Sequence, residues 1–208
     1  MSFGTMITIL LTWQLQSYGI SFGFLPTALL ALPFAIIITI IFSLFVDRYV
    51  FRFYRLKKSP PVTLAMASIG VMFITNAIVR IIIGPKDRRF FDGEKFIIKV
   101  KEFKNLTGLN EGLAIKSTQV ITVVIALLLV GILFWFLQRT RTGKSMRAFS
   151  DNEDLALLSG INPDRVVLFT WLIVAALATT AGVLYGLDKS FKPFTYFSIL
   201  LPIFASAI

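Results

Sequence analysis

Between Arg139 and Asn162 the chain reads RTRTGKSMRAFSDNEDLALLSGIN, and Gly143-Lys144-Ser145 has the residue types that close a phosphate-binding loop. Such a loop surrounds phosphates with backbone N–H groups and needs the spacing G-x-x-x-x-G-K-[ST] between a strand and a helix. The required first glycine falls on Gln138, and the residues before it form an apolar stretch of membrane-spanning length, not a buried strand. No apolar strand ending in Asp follows to offer a magnesium ligand. The pattern therefore predicts no nucleotide site and no catalytic residue. The chain contains neither cysteine nor histidine, which excludes disulfides, thiol chemistry and His-ligated metal; no metal or cofactor is expected.

The same segment has another use. Ser150-Asp151-Asn152-Glu153 has capping-box spacing, with Asp151, Glu153 and Asp154 in the first turn, where negative charge suits the helix dipole. Gly160 stands where a left-handed residue ends a helix. These signals predict one helix of about nine residues, with Leu155, Leu158 and Ala156 along an apolar edge. A helix this short needs a surface to lie against. Either lipid headgroups, met by Arg139, Arg141, Lys144 and Arg147, or a groove on a soluble partner would serve, and the residues leave both open.

The surrounding chain has 208 residues, 56% hydrophobic, and its charges are grouped: none precedes Asp47. Runs of about 20 apolar residues match a bilayer core at about 1.5 Å per residue. The expected architecture is an all-α, polytopic transmembrane helical bundle in one domain. About six membrane-embedded segments are expected, near 1–15, 24–46, 62–83, 118–138, 166–187 and 194–208. Both terminal runs are short, so parts of both ends are expected to be missing. Pro26 and Pro33 fall in the second run, a basic aromatic connection follows Val46, and Pro60-Pro61 restarts a helix. A polar loop covers 85–117; Phe96–Phe103 fits a short strand or, equally, an amphipathic cover over the membrane surface, and Asn105-Leu106-Thr107 is a glycosylation-type triplet. The net charge of +10 resides in connections that meet water and headgroups, which speaks against a nucleic-acid partner. Ten Lys and Arg lie on each side, so only the density of Arg48–Lys58 favours that side, with 139–165, as cytoplasmic.

Within the apolar runs, Ser68, Thr75 and Asn76 are polar positions of one helix; they suit interhelical hydrogen bonds or a solute path. Ala178, Gly182 and Gly186 recur every four residues, a stripe that lets helices approach closely. Trp13, Trp135 and Trp171 fit interfacial anchors or lipid-facing positions. The spans contain no acidic residue to relay protons, so uphill transport would need an external motor. A membrane scaffold or a passive channel would also fit these features.

The ordered set Arg141-Thr142-Gly143, Arg147-Ala148, Asp151, Ala156, Gly160-Ile161-Asn162, Asp164-Arg165-Val166 and Ala181-Gly182-Val183-Leu184 resembles the permease subunits of branched-chain amino-acid ABC importers, the LivH type. YRLKKSPPVTLAMASIG (Tyr54–Gly70), Asn76 and Gly84-Pro85 extend the resemblance to most of the chain from about 50 to 186. It implies a transport subunit without its own ATPase site, in the inner membrane. Its partners would be a second permease subunit, two ATPase subunits that bind ATP and Mg, an extracytoplasmic solute-binding protein and membrane lipid. The loop 139–165 would couple to the ATPase through Arg141, Gly143, Arg147, Ala148, Asp151, Asp154, Ala156, Gly160, Ile161 and Asn162. Where the wider importer pattern is E-A-A-x-x-x-G, this chain has Asp154-Leu155-Ala156 and then Gly160. The family's earlier N-terminal helix and glycine-rich C-terminal region are not found in this sequence. Urea and short amides stand beside branched-chain amino acids as implied solutes.

Overall fold

The computed structural model describes residues 1–19, 26–57, 59–84, 86–90, 96–98, 115–199, 202 and 205. The chain forms α1 (Ser2–Ser17), α2 (Ala28–Val46), a π-helical turn (Asp47–Phe51), α3 (Arg52–Leu56) and α4 (Pro61–Ile83). After β1 (Phe96–Ile98) and β2 (Ile115–Lys116) come α5 (Ser117–Arg139), α6 (Arg141–Asp151), α7 (Glu153–Leu158), α8 (Pro163–Lys189) and α9 (Pro193–Ser198). Among the described residues, four helical stretches are long and apolar enough to cross a membrane: Ala28–Leu56, Pro61–Ile83, Ser117–Arg139 and Pro163–Lys189. The first of the six expected segments is the shorter α1, and the sixth lies largely outside the described residues beyond α9.

The centre of the bundle is α1, α2 and α8. On α2 the buried positions are Ala28, Ala31, Ala35 and Thr39, spaced three or four apart, so a strip of small side chains faces inward. On α1, Gly4 through Ile9 and Thr12 are buried. Lipid tails are as apolar as leucine, so close packing of small residues holds such helices together. A Cβ at Gly4 would stand 2.5 Å from Thr179 Oγ1, and one at Gly182 would collide with Thr5 Oγ1. The buried threonines keep their hydroxyls on their own helices: Thr8 donates to Gly4 O at 2.9 Å, Thr12 to Thr8 O at 2.7 Å and Thr179 to Ala175 O at 2.8 Å. Each polar group is satisfied without water, as a membrane interior requires.

One expectation needs correction here. The helix that begins at Ala28 does not stop at Val46 but continues to Leu56. The stretch from Asp47 to Leu56 has no glycine or proline, and Arg55 grips Asp47 with two bonds, Nη1–Oδ1 at 2.6 Å and Nη2–Oδ2 at 3.1 Å. In an α-helix, positions eight apart diverge by about 80° around the axis. The wider π turn rotates less per residue and brings the two side chains onto one face. The first apolar run lies buried in the centre of the bundle. Pro61 does open α4 at its first position, where a missing N–H costs nothing.

On the face away from 139–165, the end of α4 is fastened to the turn after α8. Arg88 and Phe191 exchange backbone hydrogen bonds of 3.0 and 2.8 Å, and Asp87 accepts from Ser190 Oγ at 2.7 Å and pairs with Lys192 Nζ at 3.3 Å. Gln16 Nε2 donates to Phe90 O at 3.1 Å, and the guanidinium of Arg88 lies over the Trp13 ring. Within the polar loop, Phe96–Ile98 pairs antiparallel with Ile115–Lys116; the rest of the expected strand and the Asn105 triplet lie outside the described residues.

Candidate functional site

A cleft of about 460 Å³ lies between α2, α4 and α8, with the start of α1 at its inner end. Chain direction orders its walls. Since α2 runs toward the face that carries 139–165 while α4 and α8 run away from it, Phe51, Ser68 and Trp171 line the end of the cleft nearest that face. Thr39, Thr75, Asn76 and Ala178 stand deepest. Ser68, Thr75 and Asn76 therefore share one cavity wall. Their bonds differ: Ser68 donates to Ala65 O at 2.7 Å and Thr75 to Val71 O at 2.7 Å, while Asn76 Oδ1 accepts from Ser2 Oγ at 3.4 Å. The first two hydroxyls are turned back onto α4, so Asn76 is the polar group that reaches across the cleft toward α1. Among the described residues no Asp, Glu, Lys or Arg lines it, and the wall is mainly aliphatic and aromatic between these polar points.

Ala178, Gly182 and Gly186 separate by depth. Ala178 borders the cleft. Gly182 meets Thr5, and a Cβ at Gly186 would come within 3.0 Å of Phe90 Cε2 and of the Tyr196 hydroxyl. That hydroxyl donates to Gly182 O at 2.6 Å. Trp171 lines the cleft and packs on Phe51 with ring centroids 5.4 Å apart, whereas Trp135 is 61% exposed on the outer surface of α5.

The second element is the loop 139–165. Instead of one nine-residue helix, it holds two. Thr140 Oγ1 accepts from Gly143 N at 3.0 Å and starts α6; Asn152 Oδ1 accepts from Leu155 N at 3.0 Å and starts α7. Ser150, the expected cap, lies in the last turn of α6, because Thr140 already nucleates a helix that runs through it. Asn152 offers an equivalent side-chain acceptor and has the extended backbone a cap needs, φ −156°. Gly160 is left-handed at φ 78°, with Gly160 N bonded to Leu157 O and Ile161 N to Ala156 O, each at 3.0 Å, a full Schellman closure. Asn162 Oδ1 accepts from Asp164 N at 2.9 Å and caps α8.

Gly143 belongs to neither a phosphate cradle nor the outer surface. A Cβ there would collide with Phe136 O and stand 2.6 Å from Leu137 Cα, so α6 folds back against the end of α5 at a point only glycine fits. Ala156 is also buried. Arg141, Arg147, Ala148, Asp151, Asp154, Gly160 and Asn162 are exposed, and Ile161 is half-buried. Leu155 and Leu158, at 61% and 85% exposure, form an outward apolar edge bordered by Glu153 and Asp154. The sequence reading missed Thr140 as a cap and Phe51 as a cleft residue; the Thr-x-x-Gly spacing could have given the first. Among the described residues no group of three Asp, Glu, His or Cys could hold a metal ion.

A helical bundle with several helices long and apolar enough to cross a membrane defines a multi-pass membrane protein. The model of the family "Branched-chain amino acid transport system / permease component" matches residues 1–208, and the chain belongs to that family. It is 27% identical over 188 residues to the high-affinity branched-chain amino acid transport system permease protein LivH of Escherichia coli, covering 88% of this chain and 57% of that protein. It is 38% identical over 87 residues to a probable LivH of Methanocaldococcus jannaschii, 42% of this chain and 27% of that one. Over 77 residues it is 34% identical to the permease protein BraD of Pseudomonas aeruginosa, 37% of this chain and 25% of BraD. The chain thus spans 57% of the length of the Escherichia coli LivH it matches. No solved structure matches it.

Proposed function

We propose that the chain is a permease subunit of an ABC importer that moves branched-chain amino acids or related small polar solutes across the inner membrane. The cleft between α2, α4 and α8 is the solute path, with Asn76 as its principal polar contact. The observation that carries this reading is the pairing, in one family member, of a cleft whose described side chains carry no charge with a capped helical loop on the face nearest one end of it. The chain itself performs no covalent chemistry; ATP and Mg belong to two separate ATPase subunits. A second permease subunit and an extracytoplasmic solute-binding protein complete the assembly. The loop 139–165 is cytoplasmic and 85–117 extracytoplasmic. Closure of the ATPases displaces α6 and α7, and the packing of α6 on both α5 and α8 passes that displacement into the bundle.

The test is reconstitution in proteoliposomes with the ATPases and binding protein encoded beside it. ATP-dependent uptake of labelled leucine, isoleucine, valine or urea is expected. Uptake that proceeds equally without ATP would replace this reading with a passive channel. A chain that recruits no ATPase and moves no solute would mark it as a membrane scaffold.

A further inference from the structure

We infer that Phe51 and Trp171 form an aromatic gate at the end of the cleft nearest the 139–165 face, with the Asp47–Arg55 ion pair holding Phe51 in its closing position. This rests on the permease reading above and adds the device that opens and shuts the path.

Phe51 is the last residue of the π turn, and Asp47 is the first. Arg55 lies four residues beyond Phe51, so the ion pair brackets the aromatic ring. π turns appear as single insertions in helices, often at functional positions, because they alter where side chains point downstream. Here the turn separates the membrane part of the helix from its extension, and Phe51 is turned into the cleft. The pair is bidentate and sheltered, with 14% of the Asp47 side chain and 30% of that of Arg55 exposed. Bidentate, partly shielded pairs fix geometry better than exposed ones.

Trp171 approaches from the other wall. An anchoring tryptophan would face lipid, as Trp135 does; Trp171 instead lines the cleft and packs on Phe51. It lies eight residues beyond Pro163, on a helix whose first turn is capped by Asn162 from the loop and against which α6 packs. Eight helical residues span about 12 Å of unbroken backbone. A shift of the loop is therefore a shift of Trp171, while Phe51 stays with α2 and its ion pair. One partner is moved by the loop and the other is held. That asymmetry makes the ring contact a gate rather than a static seal.

The cysteine-free chain gives a direct test in the reconstituted complex. Uptake by the unaltered chain is measured first, which judges the permease reading by itself. In the double variant Phe51→Cys/Trp171→Cys, a short cleavable bismaleimide should join the two walls, cut ATP-driven uptake by about tenfold, the effect of one decade in rate, and release it on cleavage. Full uptake through a crosslinked path would overturn the gate. Should that variant fail to assemble, a second measurement decides. With Trp13→Phe and Trp135→Phe, Trp171 is the sole tryptophan, and its acrylamide quenching is read with and without Asp47→Asn. The substitution should raise quenching by about threefold, the scale on which intermediate residues alter coupling, and the exchange Asp47→Arg/Arg55→Asp should restore it. Quenching indifferent to Asp47 would refute the holding role even if the unaltered chain transports normally.

Discussion

Ser2 Oγ donates to Asn76 Oδ1 across 3.4 Å and joins α1 to α4 at the deep end of the cleft. The amide oxygen accepts, so this weak bond leaves both N–H donors of the amide unused by it. A group held in this way is available to a passing solute. Asn76→Leu should reduce uptake by on the order of tenfold, equivalent to about 1.4 kcal/mol at the barrier, while the complex still assembles. Unchanged uptake in an intact complex would remove Asn76 from the path.

Gly143 and Gly131 make a matched pair of glycines in and beside α5. A methyl at 143 meets the backbone of Phe136 and Leu137, which cannot rotate away; a methyl at 131 meets nothing within 4 Å. Gly143→Ala should destabilise by about 1–3 kcal/mol, as overpacking does. Gly131→Ala should be neutral or stabilise by roughly 0.5–1 kcal/mol. Size-exclusion profiles after graded heating distinguish the two, and equal profiles would contradict the fold-back of α6.

Close contact between α1 and α8 predicts a coupled pair. Gly182→Ala should lower thermal stability because its methyl collides with Thr5 Oγ1. Thr5→Ala removes that oxygen, so the double variant should recover part of the loss. A coupling of about 0.5–3 kcal/mol is expected for residues in contact. Strict additivity would mean that the two helices do not meet at this point.

For the loop, charge and closure can be tested separately. Arg147 is exposed on α6, and Gly160 N is bonded to Leu157 O at a positive φ that proline cannot adopt. Arg147→Glu and Gly160→Pro should each reduce co-purification of the ATPase subunits, the second by opening the end of α7. A complex undiminished by both would count against docking at this loop.

Much of the bundle was legible because its signals are one-dimensional. Uncharged length gave the long helices, Pro61 gave a start and Gly160 a stop. What escaped depends on neighbours. The helix continues past Val46 because Asp47 and Arg55 find each other across a π turn, and no periodicity in DRYVFRFYR signals one. The central place of α1 depends on Thr5, Thr8 and Thr12, polar residues within a short terminal run. They are in fact compact packing surfaces with their hydroxyls already satisfied. In the loop, attention to Gly143-Lys144-Ser145 obscured Thr140, which caps the helix containing them. Ser68, Thr75 and Asn76 could be placed on one helix from spacing alone, but the opposing walls of α2 and α8 that make them a cavity could not.

The inward hydroxyls of Thr8, Thr12 and Thr179 all terminate on the helix that carries them. What joins α1 to α8 at these positions is therefore complementary shape: Gly4 seats Thr179, and Gly182 seats Thr5. A side chain that fills either notch would part the two helices without breaking any of those hydroxyl bonds.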